Sequence, residues 1–451
     1  MSCYYKDLDH ASKVPFEDFM RKYSQVYFRH FTYRWWLWVT WSVRAIGKTL
    51  ISLVRNDEVF DLNHYENFEW VLINDHNGHS VLFMDGILNR FSNLSLILFL
   101  TCNSDLLKPS SKVTFKQNTF KSISFKSLRL SIRYSIDRAE RFSNIGLWAL
   151  PAFLTHIFDC SRMIEACTFY EKVRFSKNAK LICLCDSHWH QSIVTSAFNR
   201  RALRTFTCMH GAPSKWEIMS PFKSNYVLSW GDRMSETILK NCKDMSHDRI
   251  ISIGHSRHQD LAVKLHPHVD KFSEINEIVF ISPCYTCSDT YGLQGLGKEI
   301  TKFLELSVAD ISLAIRPYPY QEEIKFIQKL LQDMGLKEQV KVLTEPSFSD
   351  LVNPNRLFIG SVSSAIADVI MNGGVFVGLC ELLSRDLVST NVCYSSDIYF
   401  NMKDLQSFLI KLQDDKMFIQ HLDRLSSLRD GLVGPEIKLL DLYLSNAIEK
   451  L

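Results

Sequence analysis

Two serines stand in tandem where a short apolar segment gives way to a helical one. The segment FIGSVSSAIADVIMNGG ends a predicted strand at Gly360 and opens a predicted helix at Ser363 and Ser364. A helix N-terminus presents free backbone N–H groups and the positive end of the helix dipole, and serine hydroxyls add donors without bulk. These residues therefore predict a cradle for a phosphate group, although a single serine there would also serve as an ordinary helix cap.

Polar residues also follow two other predicted strands in the second half of the chain. Arg316 ends the strand in ISLAIRPYPYQEE, where it could bind a phosphate through two parallel hydrogen bonds, and Tyr318 could stack on a base or ribose. An ordinary proline-containing turn with a surface arginine explains this segment equally well. Ser282 ends another predicted strand and adds a weaker signal of the same kind.

In the first half of the chain, Asp186 follows an apolar strand predicted over residues 181–185. A carboxylate in that position could act as a general base or as a nucleophile on an electrophilic carbon, but it could also cap the next helix. His210 and Gly211 follow the next predicted strand. His210 could donate a hydrogen bond to a leaving phosphate, and Gly211 would allow the backbone to approach closely.

Composition and absent motifs narrow the range of functions. The sequence has no P-loop, dinucleotide-binding fingerprint, nucleophile elbow or zinc-protease signature, so the commonest ATPase, dehydrogenase, hydrolase and metalloprotease classes are not indicated. A net charge of +3, from 52 basic and 49 acidic residues, argues against a nucleic-acid partner. Cys183 and Cys185, like Cys284 and Cys287, lack the second ligand pair that zinc needs, so we expect reduced, buried thiols and no bound metal.

Short apolar segments alternate with helical ones along the chain, a pattern typical of parallel sheets built from βαβ units. We expect an N-terminal domain over residues 1–235, a C-terminal domain over 236–430, and a final helix in 431–451 that crosses back to the N-terminal domain. Residues 108–131, rich in Lys and Ser, predict a solvated β-meander or a loop. The predicted strands are 70–74, 96–101, 181–185, 205–209, 226–229, 250–253, 278–282, 311–315, 340–343, 357–359 and 375–379.

A tryptophan-rich segment, residues 33–54, predicts an amphipathic helix whose three basic residues argue against a span across a bilayer. Two interpretations stay open: the apolar stripe packs on its own domain, or the helix lies at a membrane surface. The stripe comprises Trp36, Val39, Val43, Ile46, Leu50 and Val54, and the opposite face comprises Arg34, Arg44, Lys48, Ser52 and Arg55. Residues 1–18 show no signal peptide, so the predicted location is the cytoplasm.

Taken together, these segments resemble bacterial surface-polysaccharide glycosyltransferases of the GT-B fold, including capsule and O-antigen enzymes that use CMP-activated nonulosonic acids or Kdo. Ser363–Ser364 resembles the serine pair that holds the CMP phosphate in bacterial sialyltransferases. The RPYP segment stands where those enzymes carry a His-Pro motif, with Tyr318 in place of the His. The Asp186 and His210 segments resemble a strand–helix–strand block ending in a His-containing turn, and the tryptophan-rich stretch is similar to one in surface carbohydrate biosynthesis proteins.

The resemblance implies an α/β, GT-B-like fold with two Rossmann-like domains facing a central cleft. It also implies a metal-independent transferase that moves a CMP-activated sialic-, pseudaminic- or legionaminic-type sugar, or Kdo, onto a bacterial surface glycan or a lipid-linked glycan. The donor is a substrate, so no cofactor is expected, and the location would be the cytoplasmic face of the inner membrane. The nucleotide would lie near Ser282, Arg316, Tyr318, Ser363, Ser364 and Gly211.

Asp186 would be the base if the reaction inverts the sugar, or a nucleophile if it retains it, with His210 at the leaving phosphate. Two alternatives stay open. One is a nucleotide-diphospho-sugar or polyol-phosphate transferase on the same fold, and the other is a catalytically silent, glycosyltransferase-like partner subunit.

Overall fold

The structure, a computed structural model, consists of two α/β units. The first unit comprises Met1–His210, Ser220–Leu228 and Leu439–Leu451, and the second comprises Gly211–Met219 and Ser229–Lys438. The residues that the structure describes are 34–54, 66, 68–74, 86–91, 96–100, 113–117, 122–138, 150–184, 189–209, 222–255, 269–282, 292–306, 311–317, 321–344, 351–353, 355–360, 364–379, 399–434, 437 and 439–449.

Seven strands form the N-terminal sheet: β1 (Trp70–Asn74), β2 (Leu96–Leu100), β3 (Val113–Gln117), β4 (Lys180–Cys183), β5 (Arg204–Cys208), β6 (Tyr226–Ser229) and β7 (Ile250–Ser252). They lie in the order β3-β2-β1-β4-β5-β6-β7, and the pairings from β3 through β6 are parallel. All four residues of β4 are buried, as an apolar strand covered on both faces requires.

The described helices of the first unit that precede β5 in sequence are α1 (Arg34–Val54), α2 (Phe125–Asp137), α3 (Leu150–Lys172) and α4 (Trp189–Asn199). Buried side chains of α2, α3 and α4 and of the strands β1 and β4 form one core. It includes Val71 of β1, Leu181 of β4, Tyr170 of α3 and Phe198 of α4. Burial of such side chains contributes about 1.5–3 kcal/mol each, and it holds β4 firmly between its neighbours.

Six strands form the C-terminal sheet: β8 (Glu277–Ile281), β9 (Ser312–Arg316), β10 (Lys341–Val342), β11 (Arg356–Gly360), β12 (Val375–Leu379) and β13 (Tyr399–Phe400). They are all parallel and lie in the order β10-β9-β8-β11-β12-β13. The buried carboxylate of Glu277, at the start of β8, accepts hydrogen bonds from Arg356 at 2.5 Å and Lys341 at 3.3 Å. These cations offset the cost of burying its charge.

The remaining helices are α5 (Asp232–Asn241), α6 (Gly292–Leu304), α7 (Gln321–Asp333), α8 (Ser364–Met371), α9 (Met402–Lys411), α10 (Asp415–Val433) and α11 (Leu440–Glu449). The first six belong to the second unit, whereas α11 belongs to the first. The backbone N–H of Leu440 donates to the carbonyl of Arg90 at 2.7 Å, and Leu440 and Leu444 are fully buried. No described helix combines the length and the apolar character needed to span a bilayer.

Every predicted strand is present, but residues 108–131 were interpreted wrongly. In place of a β-meander or a loop they contain β3, which pairs in parallel with β2, and the start of α2. The buried face of α2 includes Ser127, Ser131 and Ser135. Because small polar side chains cover this inward face, the hydrophobic pattern that normally marks a helix is missing from it.

The helix predicted over residues 33–54 is present as α1, but its apolar stripe faces outward. Leu50 and Val54 are 59% and 82% exposed, whereas Ser42, Ala45 and Ser52 are buried and α1 packs on α3. The interpretation that the apolar stripe packs on its own domain is therefore wrong for the described part of the stripe. The side chain of Trp36 lies outside the described residues.

Candidate functional site

The strand order of the C-terminal sheet marks a switch point between β8 and β11. From β8 the chain proceeds through β9 and β10 on one side, and from β11 it proceeds through β12 and β13 on the other. Ligands of open α/β sheets bind at such a point, beyond the carboxyl ends of the strands. Ile281 and Gly360 are paired there, and a Cβ added to Gly360 would lie 3.1 Å from the Cβ of Ile281, so the two strand ends pack tightly.

Ser282, the residue after β8, takes part in a buried polar cluster at this edge. Its backbone N–H donates to the carbonyl of Arg316, the last residue of β9, at 2.9 Å. Its hydroxyl donates to the carboxylate of Glu323 at 2.5 Å. All three side chains are buried in the described structure. The two predicted residues Ser282 and Arg316 thus lie side by side at the end of adjacent strands.

Arg316 is only 6% exposed, so the interpretation of an ordinary turn with a surface arginine is wrong. One guanidinium nitrogen, Nη1, donates to the carbonyl of Pro317 at 2.8 Å, which turns the side chain back over the strand end. Burial of an arginine is costly unless its donors are used. Arg316 is therefore held inside the edge of the sheet, where a bound anion would meet it.

The sequence interpretation missed Glu323, which is fully buried in the first turn of α7. A signal was present: Glu323 is the last residue of the segment ISLAIRPYPYQEE, one helical turn after the proline-rich exit from β9. A second buried carboxylate, Glu299, lies on α6, which packs against α7. Buried carboxylates are rare outside ion pairs and functional sites, so Glu323 and Glu299 make this region a candidate functional site.

The predicted strand–serine–helix order is confirmed, because β11 ends at Gly360 and α8 begins at Ser364. Ser363 and Tyr318 lie outside the described residues, and only the backbone of Ser364 is described. The roles of these three residues therefore stay predictions. The backbone of α8 starts directly beyond β11, the strand on the far side of the switch point from Arg316.

The N-terminal sheet has its own switch point, between β1 and β4, because β2 and β3 lie on one side and β5 through β7 on the other. Asp186 follows β4 in sequence, and His210 and Gly211 follow β5. All three residues lie outside the described residues, so their roles stay predictions. The described chain resumes at Trp189, the first residue of α4.

His190, which also follows β4, is a buried structural residue. Its Nε2 atom lies 2.8 Å from the hydroxyl of Tyr170. Burial, and the nearby positive charge of Arg162, lower the pKa of His190 to about 3. The imidazole is therefore neutral near pH 7 and is not poised to exchange protons there. Its contact with Tyr170 joins the start of α4 to α3.

The thiols that the structure describes fit the expectation of reduced cysteines. Cys160, Cys167, Cys183, Cys208 and Cys242 are buried thiols that form no disulfide. Burial raises the pKa of Cys208 to about 12, so this thiol is unreactive at neutral pH. Among the described residues there is no group of three His, Cys, Asp or Glu side chains that could hold a metal ion.

No protein-family model and no curated protein matches the sequence. Among solved structures, the chain is similar to MnaA of S. aureus in its co-structure with UDP, with a TM-score of 0.50, 10% identity, and coverage of 85% of this chain and 98% of that one. It is also similar to a protein of Listeria monocytogenes assigned as a UDP-N-acetylglucosamine 2-epimerase, with a TM-score of 0.52, 11% identity, and coverage of 85% and 97%. Similarity at this identity concerns the fold alone. Together with the two parallel sheets, it shows that the chain has an α/β fold of the GT-B type with two Rossmann-like domains.

Proposed function

We propose that the protein is a glycosyltransferase that binds a nucleotide-sugar donor at the carboxyl edge of its C-terminal sheet. The observation that carries the proposal is the buried cluster of Ser282, Arg316 and Glu323 beside the β8–β11 switch point. Buried polar groups lower stability unless their hydrogen bonds are satisfied, so a cluster of them at a strand edge is typical of a ligand site.

In this proposal Arg316 and the start of α8 hold the donor phosphate. The guanidinium offers a charge and several donors, while the free N–H groups of the helix and the hydroxyls of Ser363 and Ser364 add further donors. Such donors stabilise charge on the leaving phosphate without a metal ion. Glu323 accepts a hydrogen bond from the Ser282 hydroxyl and so holds the end of β8 in place, and Tyr318 stacks on the nucleoside.

The proposed chemistry belongs to the N-terminal domain, in which Asp186 follows β4 and His210 follows β5. Asp186 deprotonates the acceptor hydroxyl if the transfer inverts the sugar, or attacks the anomeric carbon if the transfer retains it. His210 donates a hydrogen bond to the leaving phosphate. The acceptor is a bacterial surface glycan or its lipid-linked precursor, modified in the cytoplasm at the inner membrane.

The donor in our first proposal is a CMP-activated nonulosonic acid or Kdo, because Ser363–Ser364 resembles the serine pair of CMP-sugar enzymes. A second candidate, an enzyme acting on a UDP sugar, is favoured by the MnaA co-structure with UDP and by the epimerase assignment of the Listeria protein. Both candidates use the same phosphate site, and they differ in the nucleotide that should bind.

A thermal-shift panel of CMP, CDP, UMP and UDP tests the site. A ligand that binds only the folded state stabilises by RT ln(1 + [L]/Kd), or about 2.7 kcal/mol at 100 times Kd. We expect CMP to stabilise the protein, and Ser363→Ala with Ser364→Ala to weaken CMP binding in calorimetry about tenfold or more, from the loss of charge-assisted hydrogen bonds. Ser407→Ala, on the exposed face of α9, is the matched control.

Stabilisation by UDP alone would replace the CMP proposal with the UDP candidate. Stabilisation by none of the four nucleotides would overturn both and would favour the silent partner subunit. If CMP stabilises the protein, release of CMP from CMP-sialic acid, CMP-pseudaminic acid, CMP-legionaminic acid or CMP-Kdo would identify the sugar.

Asp186→Asn tests the catalytic role separately from binding. Loss of a general base or nucleophile lowers kcat by about 100-fold or more, while CMP affinity should stay unchanged. Asp423→Asn, on the exposed side of α10, is the control for removal of one carboxylate. Transfer by Asp186→Asn at a rate close to wild type would rule out both roles.

A further inference from the structure

The helix α1 carries its large apolar side chains outward. Its inward face packs on α3 through small residues, among them the buried Ser42, Ala45 and Ser52. A surface helix normally does the reverse and turns its apolar stripe toward the core. The exposed apolar residues of α1 are Val39, Val43, Ile46, Leu50, Ile51 and Val54.

The helix α2 also exposes apolar side chains, although it buries the large ring of Tyr134 together with small residues. Its inward face includes Ser127, Ser131 and Ser135, and the hydroxyl of Ser131 lies 2.7 Å from that of Ser161 on α3. Its outward face carries Phe125, which is 76% exposed, together with Ile132 and Ile136. Two neighbouring helices that both expose apolar stripes mark an interaction surface, because single exposed apolar residues are common but contiguous stripes are not.

The two helices are neighbours in the first unit. Both pack on α3, and the backbone N–H of Ile123, just before α2, donates to the carbonyl of Ser52 on α1 at 3.0 Å. We use the name α1–α2 surface for the exposed apolar residues given above and the exposed basic residues of the same helices. Those basic residues are Arg44 and Lys48 of α1 and Lys126, Arg129 and Arg133 of α2.

The charge of the α1–α2 surface is almost entirely of one sign. The sequence of α1 contains no Asp or Glu, and that of α2 contains only Asp137. Two described acids lie on α3: Glu165 accepts the backbone N–H of Ser124 at 2.6 Å, and Asp159 lies within the electrostatic reach of Lys48. An exposed apolar stripe together with Lys and Arg on the polar face is typical of helices that lie in a lipid headgroup layer.

We propose that the α1–α2 surface binds the face of a bilayer that contains anionic lipids. The apolar stripes would enter the boundary between headgroups and acyl chains, and the basic residues would meet lipid phosphates. A second copy of the chain fits less well, because a symmetric contact would bring two surfaces of the same positive charge together. This proposal goes beyond the proposed function and does not depend on it.

Flotation of the full chain with vesicles tests the proposal without any nucleotide or sugar. Vesicles of phosphatidylcholine alone are compared with vesicles of equal parts phosphatidylcholine and phosphatidylglycerol. We expect binding to the anionic vesicles to be about tenfold or more stronger and to weaken as salt is raised, since electrostatic attraction to the surface is screened.

Two double variants assign the binding to the surface. Leu50→Ser with Ile136→Ser removes one exposed apolar residue from each helix and should weaken binding to anionic vesicles about tenfold or more. Arg129→Gln with Arg133→Gln should weaken it about fivefold for each charge and leave binding to neutral vesicles unchanged. Matched controls on exposed faces of α9 and α10 are Ile410→Ser with Ile419→Ser, and Lys403→Gln with Lys411→Gln.

Because all four altered residues are exposed, circular dichroism should show the fold of each variant unchanged. Equal binding to both vesicle types, or equal loss in the control variants, would overturn the proposal. Absence of vesicle binding by the wild type, together with a dimer in light scattering that Leu50→Ser with Ile136→Ser dissociates, would overturn it in favour of a second copy.

Discussion

At the scale of single residues, the cluster at the ends of β8 and β9 consists of Ser282, Arg316 and Glu323, which make different contacts. Ser282 donates its hydroxyl hydrogen to Glu323. The guanidinium of Arg316 turns back over the end of β9, and the carbonyl of Arg316 accepts the backbone N–H of Ser282. In our proposal Glu323 holds the end of β8 in place and Arg316 meets the donor phosphate.

His421 on α10 gives a residue-scale prediction about pH. Its Nε2 atom lies 2.8 Å from the carbonyl of Phe376, and burial lowers the pKa of His421 to about 4 from 6.5. As pH falls below 6.5 the unfolded chain takes up a proton first, so this histidine lowers the free energy of unfolding between pH 6.5 and 4, by about 3 kcal/mol at most.

Urea denaturation of the wild type and of His421→Gln, at about pH 7 and about pH 4.5, isolates this contribution as the difference between the two proteins. Asp159 acts with the opposite sign, because its pKa is raised to about 6 and its contribution is lost as pH rises from 3.8 to 6. That contribution cancels in the comparison. His247→Gln, at an exposed position, should keep the pH dependence of the wild type, and a His421→Gln protein that keeps it too would contradict the assignment.

At the scale of elements, two kinds of helix differ in what they present to the core. The helix α4 buries nearly all of its side chains against the strands. The helix α1 buries small residues and exposes large apolar ones, and α2 exposes Phe125, Ile132 and Ile136 while it buries three serines and Tyr134. The position of a helix in the fold, and not its apolar stripe, decides which face is inward when small residues allow a close approach to its neighbour.

The end of α10 gives an element-scale prediction. Gly434 follows this helix with φ of 63°, and a Cβ there would lie 1.9 Å from the carbonyl oxygen of Trp230. Gly335 also has positive φ, 70°, but a Cβ there would meet nothing within 4 Å. Gly335→Ala should cost about 1–2 kcal/mol from backbone conformation alone, and Gly434→Ala should cost clearly more because backbone must move.

Thermal or urea unfolding of the two alanine variants makes the comparison directly. Both glycines share the positive φ, so the difference between the variants reports the contacts of the added methyl group with Trp230 and Gly254, together with the strain of ψ −170° at Gly434. Equal losses of stability in Gly434→Ala and Gly335→Ala would show that these contacts relax without cost.

At the scale of the whole molecule, the last helix belongs to the first unit although it follows the second in sequence. Leu440 and Leu444 of α11 are fully buried, and the first unit is therefore completed by residues more than 200 positions after the end of β6. The first unit can therefore be fully packed only after α11 has been synthesised.

Leu444→Ala tests this assignment. Removal of a buried leucine costs about 2–5 kcal/mol, and we expect hydrogen exchange to become faster in the first unit, around β1 and Arg90, and not around β8 or β12. Leu428→Ala on α10, equally buried, should have the reverse pattern. Faster exchange in the second unit of Leu444→Ala would contradict the division.

The sequence by itself determined the described strands other than β3 and β13, their parallel arrangement and the two-domain α/β class, because apolar runs between helices carry that information locally. It also marked Ser282 and Arg316, since both end such runs. Only the tertiary structure decided that Glu323 joins them, that α2 exists in a Ser-rich segment, and that the apolar stripe of α1 faces outward. These features depend on which helices and strands pack together in the fold. Contacts between residues that are distant in the sequence produce no local residue pattern, so a single sequence does not reveal them.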